Sequence, residues 1–118
     1  MGLDSYLFRR LQVGELGIGD MKAKIELKVE VGYWRKFWPL HSSMCEILHT
    51  YEGNGEYLIS PENLYELKKE IEYEIENRPD EYGDDLTELV KLLDVEIVFW
   101  DTEADKGRFW KYYYRAEL

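Results

Sequence analysis

From Lys24 to Val31 the chain alternates without a break: Ile25, Leu27, Val29 and Val31 are apolar, and Lys24, Glu26, Lys28 and Glu30 are charged. Period two puts the two sets on opposite faces, which predicts a strand buried on one face with its charged face in water. Leu3 to Arg10, rich in aliphatic and aromatic side chains, predicts a second strand, and the Gly14, Gly17 and Gly19 cluster predicts a flexible loop after it. Gly32 interrupts the alternation and Pro39 disfavours helical geometry at Trp38, so a bend is expected between them, leading into a helix with Pro39 in its first turn.

Helical spacing takes over at that point. Leu40, Met44, Ile47, Leu48 and Tyr51 define the core face of a first helix, expected to stop near Gly53-Asn54-Gly55. After a short extended piece at Tyr57 to Ile59, Ser60-Pro61 supplies an N-cap followed by proline at the first helical position, with Glu62 at the positive end of the dipole. Leu64, Leu67, Ile71 and Ile75 form the stripe of this second helix, which Asn77-Arg78-Pro79 ends. An acidic loop, Asp80 to Asp85, precedes a shorter third helix carrying Leu86, Leu89, Val90 and Leu93. Val95 to Trp100 then looks like a strand, Asp101 to Gly107 like its turn, and Arg108 to Arg115 like the returning strand of a hairpin. Strand pairs flanking a helical middle predict a single α+β domain over residues 1–118: an antiparallel sheet of about four strands with about three helices mainly on one face.

With 118 residues, 45% of them hydrophobic and 15% aromatic, the chain is long enough for one core and too apolar for disorder. The net charge of -10 opposes attraction to phosphate backbones or anionic lipid, so nucleic acid is not an expected partner. No apolar run approaches the ~18 residues of a membrane span. The single Cys45 makes no internal disulfide and the chain starts with no signal-peptide pattern, which together predict a cytoplasmic home.

Candidate chemistry concentrates in Val31 to His41, which packs Tyr33, Trp34, Phe37 and Trp38 around Arg35 and Lys36. Tyr33, Trp34, Arg35, Lys36 and His41 are candidate binding residues there, with Arg9 and Arg10 as further cations for gripping an anionic ligand between guanidinium groups and aromatic faces. In the last strand, Trp110, Tyr112 and Tyr114 point to one face and Phe109 and Tyr113 to the other. Whichever face the helices leave uncovered becomes a candidate binding surface, and Trp110, Tyr112 and Tyr114 are also candidates for a homodimer contact. His41, Cys45 and His49 recur every four residues, but the ends of that trio lie two turns apart, about 12 Å. At most His41 and Cys45 would share a metal ion, so no metal and no cofactor are expected. Neither a nucleophile constellation nor the glycine spacing of a phosphate loop is present.

The start M-G-L-D-S-Y-L and the central V-G-Y-W-R-K with His41 beyond it, together with the aromatic C-terminal strand, resemble a family of small uncharacterised proteins of tailed phages and their prophages. Between Lys36 and His41 that family has small or polar residues where this chain has Phe37, Trp38 and Pro39. The resemblance implies phage or prophage origin and action in the cytoplasm of a bacterial host, and it brings no activity with it. The expected function is therefore a noncatalytic accessory protein that binds a host or phage protein and inhibits a host factor. One alternative is a small enzyme or ligand-binding domain with its pocket at Tyr33, Trp34, Arg35 and His41. Another is an acidic nucleic-acid mimic whose face, Glu66 to Asp85, meets a basic surface.

Overall fold

The computed structural model describes residues 2–50, 54–77 and 83–118. Its elements are β1 (Asp4–Ile18), β2 (Met21–Arg35), α1 (Trp38–Ile47), β3 (Gly55–Ile59), α2 (Pro61–Asn77), α3 (Gly83–Asp105) and β4 (Lys111–Glu117). The four strands form one antiparallel sheet in the order β2-β1-β4-β3. With three helices beside it, the fold is the expected α+β arrangement.

Register explains which face holds the core. Leu3, Leu7, Tyr112, Tyr114, Ala116 and Ile59 lie on one face of the sheet and are buried in one cluster with Leu40 and Met44 of α1, Leu64, Leu67 and Ile71 of α2, and Leu86, Leu89 and Leu93 of α3. The α2 stripe is the one its spacing predicts. Its N-terminus closes reciprocally: Asn63 N–H donates to Ser60 Oγ at 3.1 Å, and Ser60 N–H donates to Asn63 Oδ1 at 2.9 Å. Helix α1 stops at Ile47, short of Tyr51, because His49 turns left-handed (φ 53°) and Thr50 N–H reaches back to the Cys45 carbonyl. The expected stop at Gly53, the end of α2 past Asn77 and the first part of the acidic loop, residues 80–82, lie outside the described residues.

Several expectations fail in instructive ways. Val95 to Trp100 is no strand: α3 continues through it to Asp105. The inward positions Leu86, Leu89, Leu93, Glu96, Trp100 and Glu103 keep a 3–4 spacing, but two of them are carboxylates, so the stripe is not visible as hydrophobicity. Both acids are satisfied. Glu96 pairs with Arg9 and accepts the Tyr112 hydroxyl at 3.0 Å. Glu103 accepts from Arg108 Nε at 2.9 Å and from the Trp110 indole at 3.0 Å. These bonds hold the Glu103 carboxyl at about 2, Arg108 contributing most and Trp110 next.

The second departure is the glycine cluster, which forms no flexible loop. β1 runs straight through Gly14 and Gly17 and turns at Gly19-Asp20, a two-residue loop between the paired Ile18 and Met21. Gly19 has φ 61° while Asp20 is not left-handed, the II′ geometry that suits hairpins. β2 continues past Gly32 to Arg35, so the expected bend is narrowed to Lys36-Phe37, which leads into α1 with Pro39 in its first turn. Because β4 pairs with β1 only as far as Arg10, the rest of the hairpin leaves the sheet as a two-stranded arm, in a molecule 58 Å along its long axis. Lys24 to Lys28 is therefore exposed on both faces rather than half-buried.

At the base of the arm, Val31 is an extra residue opposite the Leu7/Phe8 step, and the Trp34 ring folds back over Gly32. A Cβ on Gly32 would lie 2.3 Å from the indole. Gly32→Ala is expected to displace that ring and to lower stability by about 1–3 kcal/mol, read from chemical denaturation.

Candidate functional site

Neighbours on a strand face opposite ways, and this disperses the aromatic central motif. Tyr33 lies on the uncovered face, stacked on Tyr6 at 4.9 Å, and its hydroxyl donates to Asp4 at 2.8 Å. Trp34 lies on the helix-covered face beside Val31 and Val95. Arg35 sits at a shallow depression with Asp4 and Glu117, and Lys36 is left-handed (φ 56°), its N–H bound to the Leu3 carbonyl at 2.6 Å. His41 is buried beneath the sheet. Tyr33, Trp34, Arg35 and His41 therefore do not converge, and the pocket expected from them does not form. The cation cluster separates for the same reason: Arg9 turns inward to Glu96, stacked on Phe99, while Arg10 turns outward to Glu56 and the Tyr113 ring.

The other aromatic candidates are core residues. Trp110, Tyr112 and Tyr114 are 8%, 0% and 2% exposed, so the helices cover their face and no homodimer contact forms through them. Tyr114 centres a buried polar chain. Its hydroxyl lies 3.1 Å from Ser5 Oγ and 2.7 Å from His41 Nδ1, and His41 Nε2 lies 3.5 Å from Cys45 Sγ. Two proton arrangements satisfy all four groups: Ser5 donates to Tyr114, Tyr114 to Nδ1 and Nε2–H points to sulfur, or Cys45 donates to Nε2, Nδ1–H to Tyr114 and Tyr114 to Ser5. Burial lowers the pKa of His41 and raises that of Cys45, the reverse of what a thiolate–imidazolium pair needs. Nor do His41 and Cys45 gain a third ligand: among the described residues no group of three His, Cys, Asp or Glu is placed to hold a metal ion.

Among the described residues three accessible surfaces stand out. The uncovered sheet face carries Tyr6 stacked on Phe8 and Tyr33, with Lys28 over Phe8 and Arg115 over Tyr6. These cations cap the rings and leave Phe8 only 7% exposed, outside the main core. A cleft of about 640 Å³ lies between α1 and α2, with Trp38 and Tyr73 in its walls beside Glu46, Glu70 and Glu74. Burial, together with the charges of Glu46, Glu66 and Glu74, pushes the Glu70 carboxyl up.

The arm is the third. Register puts Met21, Ala23, Ile25 and Leu27 of β2 on the same face as Leu11, Leu16 and Ile18 of β1, in line with the core face but beyond the helices. Leu16, Ile18, Met21, Ile25 and Leu27 are 47–76% exposed. The residue type signalled this surface, since Leu16, Ile18, Met21, Ala23, Ile25 and Leu27 alternate about Gly19-Asp20. What hid it was the assumption that an apolar strand face meets a core. Trp38, Tyr73 and Glu70 gave no such signal, because only packing α1 against α2 assembles the cleft.

The buried His41 predicts a pH dependence. Its folded pKa is lowered, so the unfolded chain binds the proton more readily, and the His41 contribution is whole above the unfolded value of about 6.5 and lost as pH falls below it. Denaturation midpoints measured from pH 7.5 to 5.5 are expected to fall, and His41→Gln to flatten that fall.

No protein-family model matches the chain, and neither a curated protein nor a solved structure does.

Proposed function

We propose that the protein is a noncatalytic accessory protein of phage or prophage origin, which acts in the bacterial cytoplasm by binding another protein. The observation that carries this reading is the arm, whose contiguous apolar side chains lie beyond the reach of the helices. Contiguous apolar surface of this kind is characteristic of interaction sites. Two further points support it. Burial raises the Cys45 thiol and lowers His41, which works against a thiolate–imidazolium pair. The Gly2-Leu3-Asp4 and Gly32-Tyr33-Trp34-Arg35-Lys36 motifs agree with phage origin, and inhibition of a host factor is the role such binding would serve.

The α1–α2 cleft supports a second reading, the acidic mimic. The charges of Glu46 and Glu74 act on Glu70, and Trp38 and Tyr73 offer aromatic faces with Lys69 also in the lining, so the acidic side of the cleft suits a Lys or Arg side chain from a basic partner. Salt separates the two surfaces, because exposed charge pairs are screened and apolar burial is not.

In the first reading, Leu16→Lys with Ile25→Lys is expected to leave stability within about 0.5 kcal/mol, as at other exposed positions, and to abolish capture of a partner from bacterial lysate. Undiminished capture by that variant would count against the arm. Capture lost at high salt, and lost again in Glu46→Lys with Glu70→Lys, would move the interface to the cleft.

A further inference from the structure

We infer that the partner on the arm is a second copy of this chain, joined edge to edge through β2 in an antiparallel pair centred on Leu27; this rests on the arm being an interaction surface. β2 is the outer strand of the sheet, fifteen residues long, and among the described residues pairs with β1 alone. The extra residue in the middle of the hairpin, Val13, belongs to β1, so β2 runs regularly from Met21 to Glu30.

Charge on an edge strand ordinarily discourages pairing. Here the order of the charges reverses that effect. When the strand meets itself antiparallel about Leu27, Lys24 lies opposite Glu30 and Glu26 opposite Lys28, each twice by symmetry. No like charges oppose each other across those seven residues. Centring the pair on Ile25 sets Lys22 against Lys28, and centring it on Glu26 sets Lys24 against Lys28 and Glu26 against itself. All four charged side chains are exposed, and Lys24, Glu26 and Glu30 make no ion pair among the described residues.

The same register works on the apolar face. Ile25 meets Val29 and Leu27 meets its own copy, so the two apolar faces merge on one side of an eight-stranded sheet. The tip of each arm then passes Val31 of the other chain. At that point β2 and α3 form an open groove of about 520 Å³, in which Val29, Val31, Trp34, Leu92 and Val95 are apolar neighbours for Met21 and Ala23 and Arg9, Glu30, Glu88, Lys91 and Glu96 are charged.

Analytical ultracentrifugation of the full chain at micromolar concentration is expected to give twice the 14.2 kDa chain mass. Lys24→Glu with Lys28→Glu makes the edge uniformly acidic, and Glu26→Lys with Glu30→Lys makes it uniformly basic. Each variant alone is expected to dimerise about tenfold or more weakly at an unchanged melting temperature, and an equimolar mixture to recover the dimer as a heterodimer. A single-chain mass for the parent, or charge variants that each stay dimeric, would overturn the inference. Failure of the wider reading is a separate result: with a monomeric parent, partner capture still lost in the Leu16→Lys, Ile25→Lys variant keeps the arm as a surface for a different protein. Undiminished capture removes both.

Discussion

Helices α1 and α3 are anchored to three aromatic side chains, Trp110 just before β4 and Tyr112 and Tyr114 within it. Tyr114 is bonded to His41 of α1, and Tyr112 and Trp110 to Glu96 and Glu103 of α3. Each ring supplies apolar area to the core and a polar tip to a helix, which is how a buried Tyr or Trp meets both of its requirements at once. β4 is the last strand in sequence and sits in the middle of the sheet, paired with the first strand on one side and β3 on the other. Closing the sheet thus joins residues more than a hundred positions apart, and contacts of that range are assembled late and at high entropic cost.

The carboxylates of α3 belong to the same constraint. A buried acid costs several kcal/mol unless its charge is matched and its lone pairs are occupied. Glu96 gains Arg9 and Tyr112, and Glu103 gains Arg108 and Trp110. Arg9 is itself held against Phe99 and Trp110, so β1, β4 and α3 are locked in register by one continuous group of ions and rings. These charges fix how the helix docks. They are absorbed by the fold, as is the Cys45–His41 pair, which leaves the chemistry of binding to surfaces outside the core.

Those surfaces differ in kind. The open sheet face caps the Tyr6, Phe8 and Tyr113 rings with cations, while Tyr33 and Leu58 stay 48% and 59% exposed there. The α1–α2 cleft is acidic and aromatic, suited to a positively charged group. The arm is apolar on one face and alternately charged on the other, and as an isolated two-stranded ribbon it has little stability without cover. A partner strand on β2 would supply backbone hydrogen bonds to a free edge and lateral side-chain neighbours to Ile25, Leu27 and Val29 of the apolar row.

Local chemistry in the sequence determined much of the architecture by itself. The period-two run around Ile25, the Ser60-Pro61 helix start, the Leu64, Leu67 and Ile71 stripe and the two-faced pattern of Trp110 to Tyr114 all depend on residues a few positions apart, and all are present in the structure. Val95 to Trp100 went the other way: its β-branched and aromatic residues favour a strand, and only the docking of Glu96 and Glu103 onto β4 makes it helix. The sites were less legible still. Alternation gives a residue its face, but which face the helices cover, and how far along the hairpin that cover reaches, depends on where β4 ends. Tertiary structure alone therefore decided that Tyr112 and Tyr114 are core and that Ile25 and Leu27, on an equally regular strand, are surface.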